Sequence, residues 1–340
     1  MKKSLLAVAV AAALPVVAQA QVTLSGRIDT AVVNSKSSST GKTATGLASS
    51  TLTTNQITLQ GSEDVPGGMK ANFIINSQFS SDEKAALDWG HRGITVGLSG
   101  GFGAVDLGRS TCTTLCSITA SGLIGNLGNM TSSRHTIRPD NSVTYTTPSF
   151  SGLRVKVIQG LAESKSAATP TDKEVTEIAA LYAAGPLDIQ LAYVDEKGTA
   201  TQYLVQGFTA SAAGTAVSAP SAVGPGKHTG LRVNYNAGFA TLHVRWQDID
   251  MVNNAQDTTE YGLGAAIPLG GDRTVLVDYR VFDPKAANTS SLTDQTRISA
   301  AIVQNLSKRT NVYAAVWNDK YDHATPVDGT ALAVGVRHNF

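Results

Sequence analysis

The side chains with the most chemical potential gather between Ser110 and Pro139. This stretch holds both cysteines, Cys112 and Cys116, with Arg134, His135 and Arg138, and it contains no Asp or Glu. Thiols, an imidazole and two guanidinium groups suggest disulfide chemistry, metal ligation or anion recognition. Two cysteines four apart in a helical turn have Cα atoms about 6 Å apart, inside the disulfide range. Metal ligation has less to stand on, because two cysteines and one histidine match no recognised ligand spacing. Catalysis lacks support as well: the six histidines are scattered, and there is no metalloprotease histidine pair or phosphate loop. No metal or cofactor is therefore expected. A basic, acid-free segment remains, able to attract anions without reacting with them.

The chain that must carry this segment begins with an export leader. Lys2 and Lys3 precede an apolar run from Leu5 to Ala18, and Ala18-Gln19-Ala20 is a small-x-small cleavage site, so processing is expected between Ala20 and Gln21. A retained anchor is the alternative, but the run falls short of the about 20 apolar residues that a spanning helix needs. Export through an oxidising compartment favours a Cys112–Cys116 disulfide over free thiols. Of the 27 basic residues, Lys2 and Lys3 lie in the leader, leaving 25 against 26 acidic ones. That balance argues against a nucleic-acid partner.

From Gln21 onward the sequence divides into short segments with a period of two. Phe239–Asp248 sets Leu242, Val244 and Trp246 against Thr241, His243, Arg245 and Gln247; Thr274–Val281 repeats the pattern. Such alternation sends apolar and polar side chains to opposite faces of a strand. It predicts strands near 22–34, 53–62, 69–79, 91–99, 103–110, 141–147, 153–161 and 174–183. Eight more are expected near 187–195, 228–236, 239–248, 258–267, 274–283, 295–305, 310–318 and 331–340. The connections alternate too: 63–68, 100–101, 148–152, 185–186 and 236–238 are tight, whereas 35–52, 80–90, 111–140, 162–173 and 196–227 are long. Residues 201–209 could form a further strand but are assigned to the long loop, which preserves that alternation.

The final strand, Ala331–Phe340, places Leu332, Val334, Val336 and Phe340 on one face. An open apolar edge would invite aggregation, whereas pairing with the first strand would close the sheet. About sixteen strands, short turns on one rim and long loops on the other predict a transmembrane antiparallel β-barrel over residues 21–340, wide enough for a water channel. Aromatics near strand ends, among them Tyr145, Phe150, Tyr235, Trp246 and Trp317, suit interfacial girdles. By parity Arg27, Lys70, Arg154, Lys156, Arg232 and Arg245 face inward, opposed by Asp29, Asp106, Glu260 and Asp278.

Several motifs resemble the trimeric general porins of β-proteobacteria, the group that includes the neisserial and Burkholderia-type porins. These are Gly61-Ser62-Glu63-Asp64-Val65-Pro66-Gly67-Gly68, Asn141-Ser142-Val143-x-Tyr145-x-x-Pro148-x-Phe150-x-Gly152, Tyr182-x-x-Gly185-Pro186-Leu187, Leu306-Ser307-Lys308-Arg309-Thr310 and the ending Gly335-Val336-Arg337-His338-Asn339-Phe340. The resemblance implies an outer-membrane homotrimer in contact with lipid and lipopolysaccharide. It also implies a third outer loop, Ser110–Asp140, folded inward to narrow the pore, and a terminal Phe340 read by the insertion machinery. Two bases frequent in that family are replaced here by Gln56 and Thr144. The function so implied is passive diffusion of small solutes and ions with a moderate anion preference, through a constriction bearing Arg27, Lys70, Arg134, Arg138, Lys156, Arg232 and Arg245. A solute-selective channel and an outer-membrane barrel enzyme are the alternatives.

Overall fold

The computed structural model describes residues 21–37, 41–84, 87–120, 122–128, 138–162, 174–197, 226–251, 257–285, 294–322 and 328–340. Their strands form one antiparallel sheet. It opens with β1 (Gln21–Ser37), β2 (Thr43–Ser49), β3 (Gln56–Val65), β4 (Met69–Gln78), β5 (Asp88–Gly100) and β6 (Gly103–Arg109). Next come β7 (Ser142–Thr146), β8 (Leu153–Gly160), β9 (Glu174–Ala184), β10 (Leu187–Lys197), β11 (Gly226–Asn236) and β12 (Thr241–Met251). The series ends with β13 (Thr258–Gly270), β14 (Arg273–Pro284), β15 (Gln295–Asn305), β16 (Thr310–Tyr321) and β17 (Gly329–Asn339).

Except for β2 and β3, which both pair with β1, each strand pairs with its sequence neighbours, and β1 also pairs with β17, so the sheet closes on itself. Closure satisfies the backbone without water, as a hydrocarbon surround demands. At the seam Gly26 N–H donates to the Phe340 carbonyl at 2.9 Å, and Phe340 N–H returns a bond to Gly26 at 3.0 Å. The Phe340 ring lies over Gly26, where a Cβ would sit 2.3 Å from it. Only glycine admits the ring there.

Among the described residues, seventeen strands occupy sixteen positions around the barrel. β2 lies against the upper half of β1, from Thr30 to Lys36, and β3 against the lower half, from Gln21 to Arg27. The sequence reading placed 35–52 in a loop; residues 43–49 are instead a strand, one stave with β3 that is interrupted at residues 50–55. Segment 201–209 lies outside the described residues.

The two faces differ as the alternation requires. Val334 is 65% exposed to the surround, whereas its neighbour Ala333 is 1% exposed. Leu24, Val96, Ile178, Leu263 and Ile298 share the outward apolar face, which lipid solvates. Trp317 departs from the girdle assignment: it is buried on the inner face with Tyr313, Ala315 and Ala333. Something inside the barrel covers it.

Candidate functional site

The covering element is the chain between β6 and β7. It contains a helix, α1 (Thr114–Thr119), and a 3-10 turn, Gly125–Gly128. Thr113 caps α1 by accepting from Cys116 N–H. The Glu177 carboxylate, buried on β9, accepts from Thr114 N–H at 2.7 Å and Leu115 N–H at 3.1 Å. A carboxylate suits a helix start because the first N–H groups lack intrahelical partners. Leu115 and Ile118 pack against Val175, Ala179, Ala192 and Val194 on the inner faces of β9 and β10. The second limb reaches another part of the wall: Ile124 and Leu127 pack with Leu52, Ala31, Val303, Tyr313 and Trp317. The described residues of this segment thus lie against inner faces of the wall, those of β9–β12 and of β14–β17.

The wall bases named from the sequence divide into two groups. Lys156 donates to the Cys112 carbonyl at 3.0 Å, and Arg245 donates to the Thr119 carbonyl at 3.3 Å while pairing with Asp278 at 3.0 Å. Arg232 pairs with Asp188 and Lys70 with Asp64, each at 2.7 Å. Among the opposing acids, Asp29, Glu260 and Asp278 are buried. Cys112 and Cys116 are joined by a disulfide with Cα atoms 5.7 Å apart, Cys112 standing just before the α1 cap. Arg134 lies outside the described residues.

Arg27 and Arg138 belong to the second group. Arg27 is in Coulombic range of Arg337 and Arg92; Arg138 is in range of Arg92 and Arg109. These five guanidinium groups neighbour one another in turn, with Asp29 beside Arg27 and Asp140 paired to Arg109; Arg92 and Arg109 escape a parity reading. Ile94 faces outward, so strict alternation would send Arg92 outward also. A register shift between Asn76 and Gln78 and positive φ at Gly90 and Gly93 break the alternation. The glycines flanking Gly90-His91-Arg92-Gly93 were the available signal. Burial, followed by the charges of Arg92 and Arg109, lowers the pKa of Arg138 from the ordinary guanidinium value but leaves it charged at neutral pH. Its Nε donates to the Thr111 carbonyl at 2.9 Å.

Open space lies on the other side of the lumen. One cavity of about 320 Å³ is bounded by Thr95, Asp106, Ser110, Thr144, Arg154 and Lys156. Another, of about 480 Å³, is bounded by Thr23, Gln60, Ser62, Asn72, Thr95 and Asp106. The string Gly97-Leu98-Ser99-Gly100-Gly101 has the spacing of a hydrolase nucleophile elbow. That elbow needs a strand-to-helix turn; here β5 turns into another strand, β6, and the Ser99 hydroxyl accepts from Asn72. It is a ladder residue.

Comparison with known proteins agrees with this architecture. Residues 6–324 match the family of Gram-negative porins. Outer membrane porin protein 32 of Delftia acidovorans is 29% identical over 376 residues, covering 100% of both chains. Major outer membrane protein P.IB of Neisseria meningitidis is 39% identical over 116 residues, 32% of this chain and 34% of that one. The solved structure of the anion-selective porin from Comamonas acidovorans superposes with a TM-score of 0.78 at 26% identity, over 95% of this chain and 100% of that one. A closed barrel with a wet lumen, an inner loop and this match across most of its length place the chain in the Gram-negative porin family, as an outer-membrane diffusion channel.

Proposed function

We propose that the channel prefers anions, and that the row Arg337–Arg27–Arg92–Arg138–Arg109 carries the preference. Two unit charges 4 Å apart interact by about 1 kcal/mol in bulk water and about 4 kcal/mol at an effective dielectric of 20. Several bases along a narrow path therefore bias permeation without binding any ion tightly, although Arg109 pairs with Asp140. The acid-free stretch Ser110–Pro139 adds no counter-charge. The selectivity printed for the Comamonas acidovorans porin points the same way. Lys156 and Arg245 lie against the loop, and Arg232 and Arg245 pair with carboxylates. In a KCl gradient the reversal potential has the sign of chloride preference and shrinks as total salt rises. Arg27→Glu with Arg138→Glu moves it toward cations. A native channel that already favours potassium would overturn the reading.

The mature protein begins at Gln21 and assembles as a homotrimer, with the tight turns on the periplasmic rim and the long connections outside. Phe340, at the closing seam, serves as the insertion signal. Phe340→Asp leaves the chain in the periplasm; normal outer-membrane yield of that variant would refute this role. The Cys112–Cys116 bond holds the segment before α1 in shape.

A further inference from the structure

We infer that Asp29 is a positioning residue for the pore: it sets how far the inner loop closes the lumen and does not act on ions as a wall charge. This rests on the loop lining the diffusion path. Asp29 is fully buried, and each of its carboxylate oxygens is engaged. Oδ2 accepts from Leu52 N–H at 3.0 Å, Thr53 N–H at 2.6 Å and the Thr53 hydroxyl at 3.2 Å. Oδ1 accepts from the Tyr313 hydroxyl at 2.5 Å. The backbone of Asp29 completes the clasp: its N–H donates to the Asn55 side chain at 2.5 Å, and its carbonyl accepts from Ser50 N–H at 2.8 Å.

Apart from Tyr313 on β16, those partners are the residues that interrupt the β2–β3 stave. Residues 50–55 leave the wall and turn into the lumen, where Leu52 joins the apolar cluster under the loop. Their carbonyls then receive the loop itself. Asn126 N–H donates to Leu52 at 2.6 Å, and Asn126 Nδ2 donates to Ser50 at 2.6 Å. Gly125, at φ +64°, lies so close that a Cβ there would fall 1.8 Å from the Leu52 carbonyl oxygen. One carboxylate therefore orders a second inward segment, and that segment carries the loop's descending limb. Hydrogen bonds to a charged acceptor are about twice as strong as neutral ones, which suits an anchor that must resist the flow of solute.

Liposome swelling with a small and a large uncharged sugar, together with reversal potentials in KCl, tests this. Asp29→Ala and Asn126→Ala each raise the swelling rate with the large sugar several-fold relative to the small one, and the double variant adds little to either. Asp29→Asn, which can keep an oxygen on Leu52 and Thr53 and turn its amide toward Tyr313, keeps the wild-type size discrimination although the charge beside Arg27 is gone. A role as a wall charge predicts the reverse: Asn and Ala variants alike would shift toward chloride with size discrimination unchanged, and that result would overturn the inference. If Asp29→Ala does not fold, Asn126→Ala carries the test, and unchanged size discrimination in it is equally fatal. Arg138→Glu separates the two claims. No effect of that variant on permeation means that the loop does not line the path; an effect there, with none in Asn126→Ala, sinks the role of Asp29 alone.

Discussion

The inner faces of β3–β8 and of β9–β12 with β14–β16 share one parity but not one chemistry. The first borders open space and shows hydroxyls, amides, Arg154 and Asp106 to water. The second lies under the loop and combines Ala and Val with buried ion pairs, Arg245–Asp278 and Arg297–Asp319. A charge on the open face acts on whatever passes. On the covered face it acts on the protein, since removing water strengthens its local pairing and denies ions any access. Inward direction alone does not make a residue part of a filter.

The sharpest way to break this comparison is to orphan a charge on the covered face. Asp278→Ala leaves Arg245 buried without its carboxylate, which costs about 3–5 kcal/mol. The temperature at which the folded barrel is lost on electrophoresis should fall markedly, whereas Arg154→Ala on the open face, a surface change, stays within about 0.5 kcal/mol. Equal effects would dissolve the distinction. An intermediate effect is expected in permeation. Arg92→Glu moves the reversal potential toward cations, while replacing Arg245 and Asp278 together by Met and Leu leaves it in place; movement in the second case would make the covered pair part of the pore. The smallest effect lies on the rim at Asp294. Burial, then the charges of Asp283 and Asp322, raises its pKa, so the folded protein holds that proton more tightly than the unfolded chain does. Stability from this group is present at low pH and is lost as pH rises through the raised value. Asp294→Asn should therefore give a slight gain in melting temperature at neutral pH and none in acid. A loss at neutral pH would contradict it.

The sequence made the ladder legible because strand alternation and connection length are local properties. Phe239–Asp248 shows the clean case: β12 runs from Thr241 to Met251 with Leu242 and Val244 outward and Arg245 inward. β2 was hidden because Thr43-Ala44-Thr45-Gly46-Leu47-Ala48-Ser49 has one large apolar side chain and so almost no periodic signal. The docking faces under the loop went unread for the opposite reason. β9 is apolar on both sides, with Ile178 facing lipid while Val175 and Ala179 face α1. A strand apolar on both faces in a wet barrel marks where something packs inside. The row of bases was half visible: Arg27 obeys parity, whereas Arg92 depends on a bulge in the pairing of β5 with β4.

The Asp29–Tyr313 hydrogen bond also bears on the order of events in biogenesis. It joins residues 284 apart, next to the β1–β17 seam. Contacts between such distant residues are slow to form, because the chain entropy between them must be lost first. Residues 50–55, which need Asp29 to be clasped and Tyr313 to hold Asp29, reach their final place only after the last strand has arrived. A nascent barrel that still lacks β16 and β17 would already enclose a lumen but could not yet calibrate it. Size discrimination is therefore the last property that the protein acquires, and the same zippering step that seals the wall confers it.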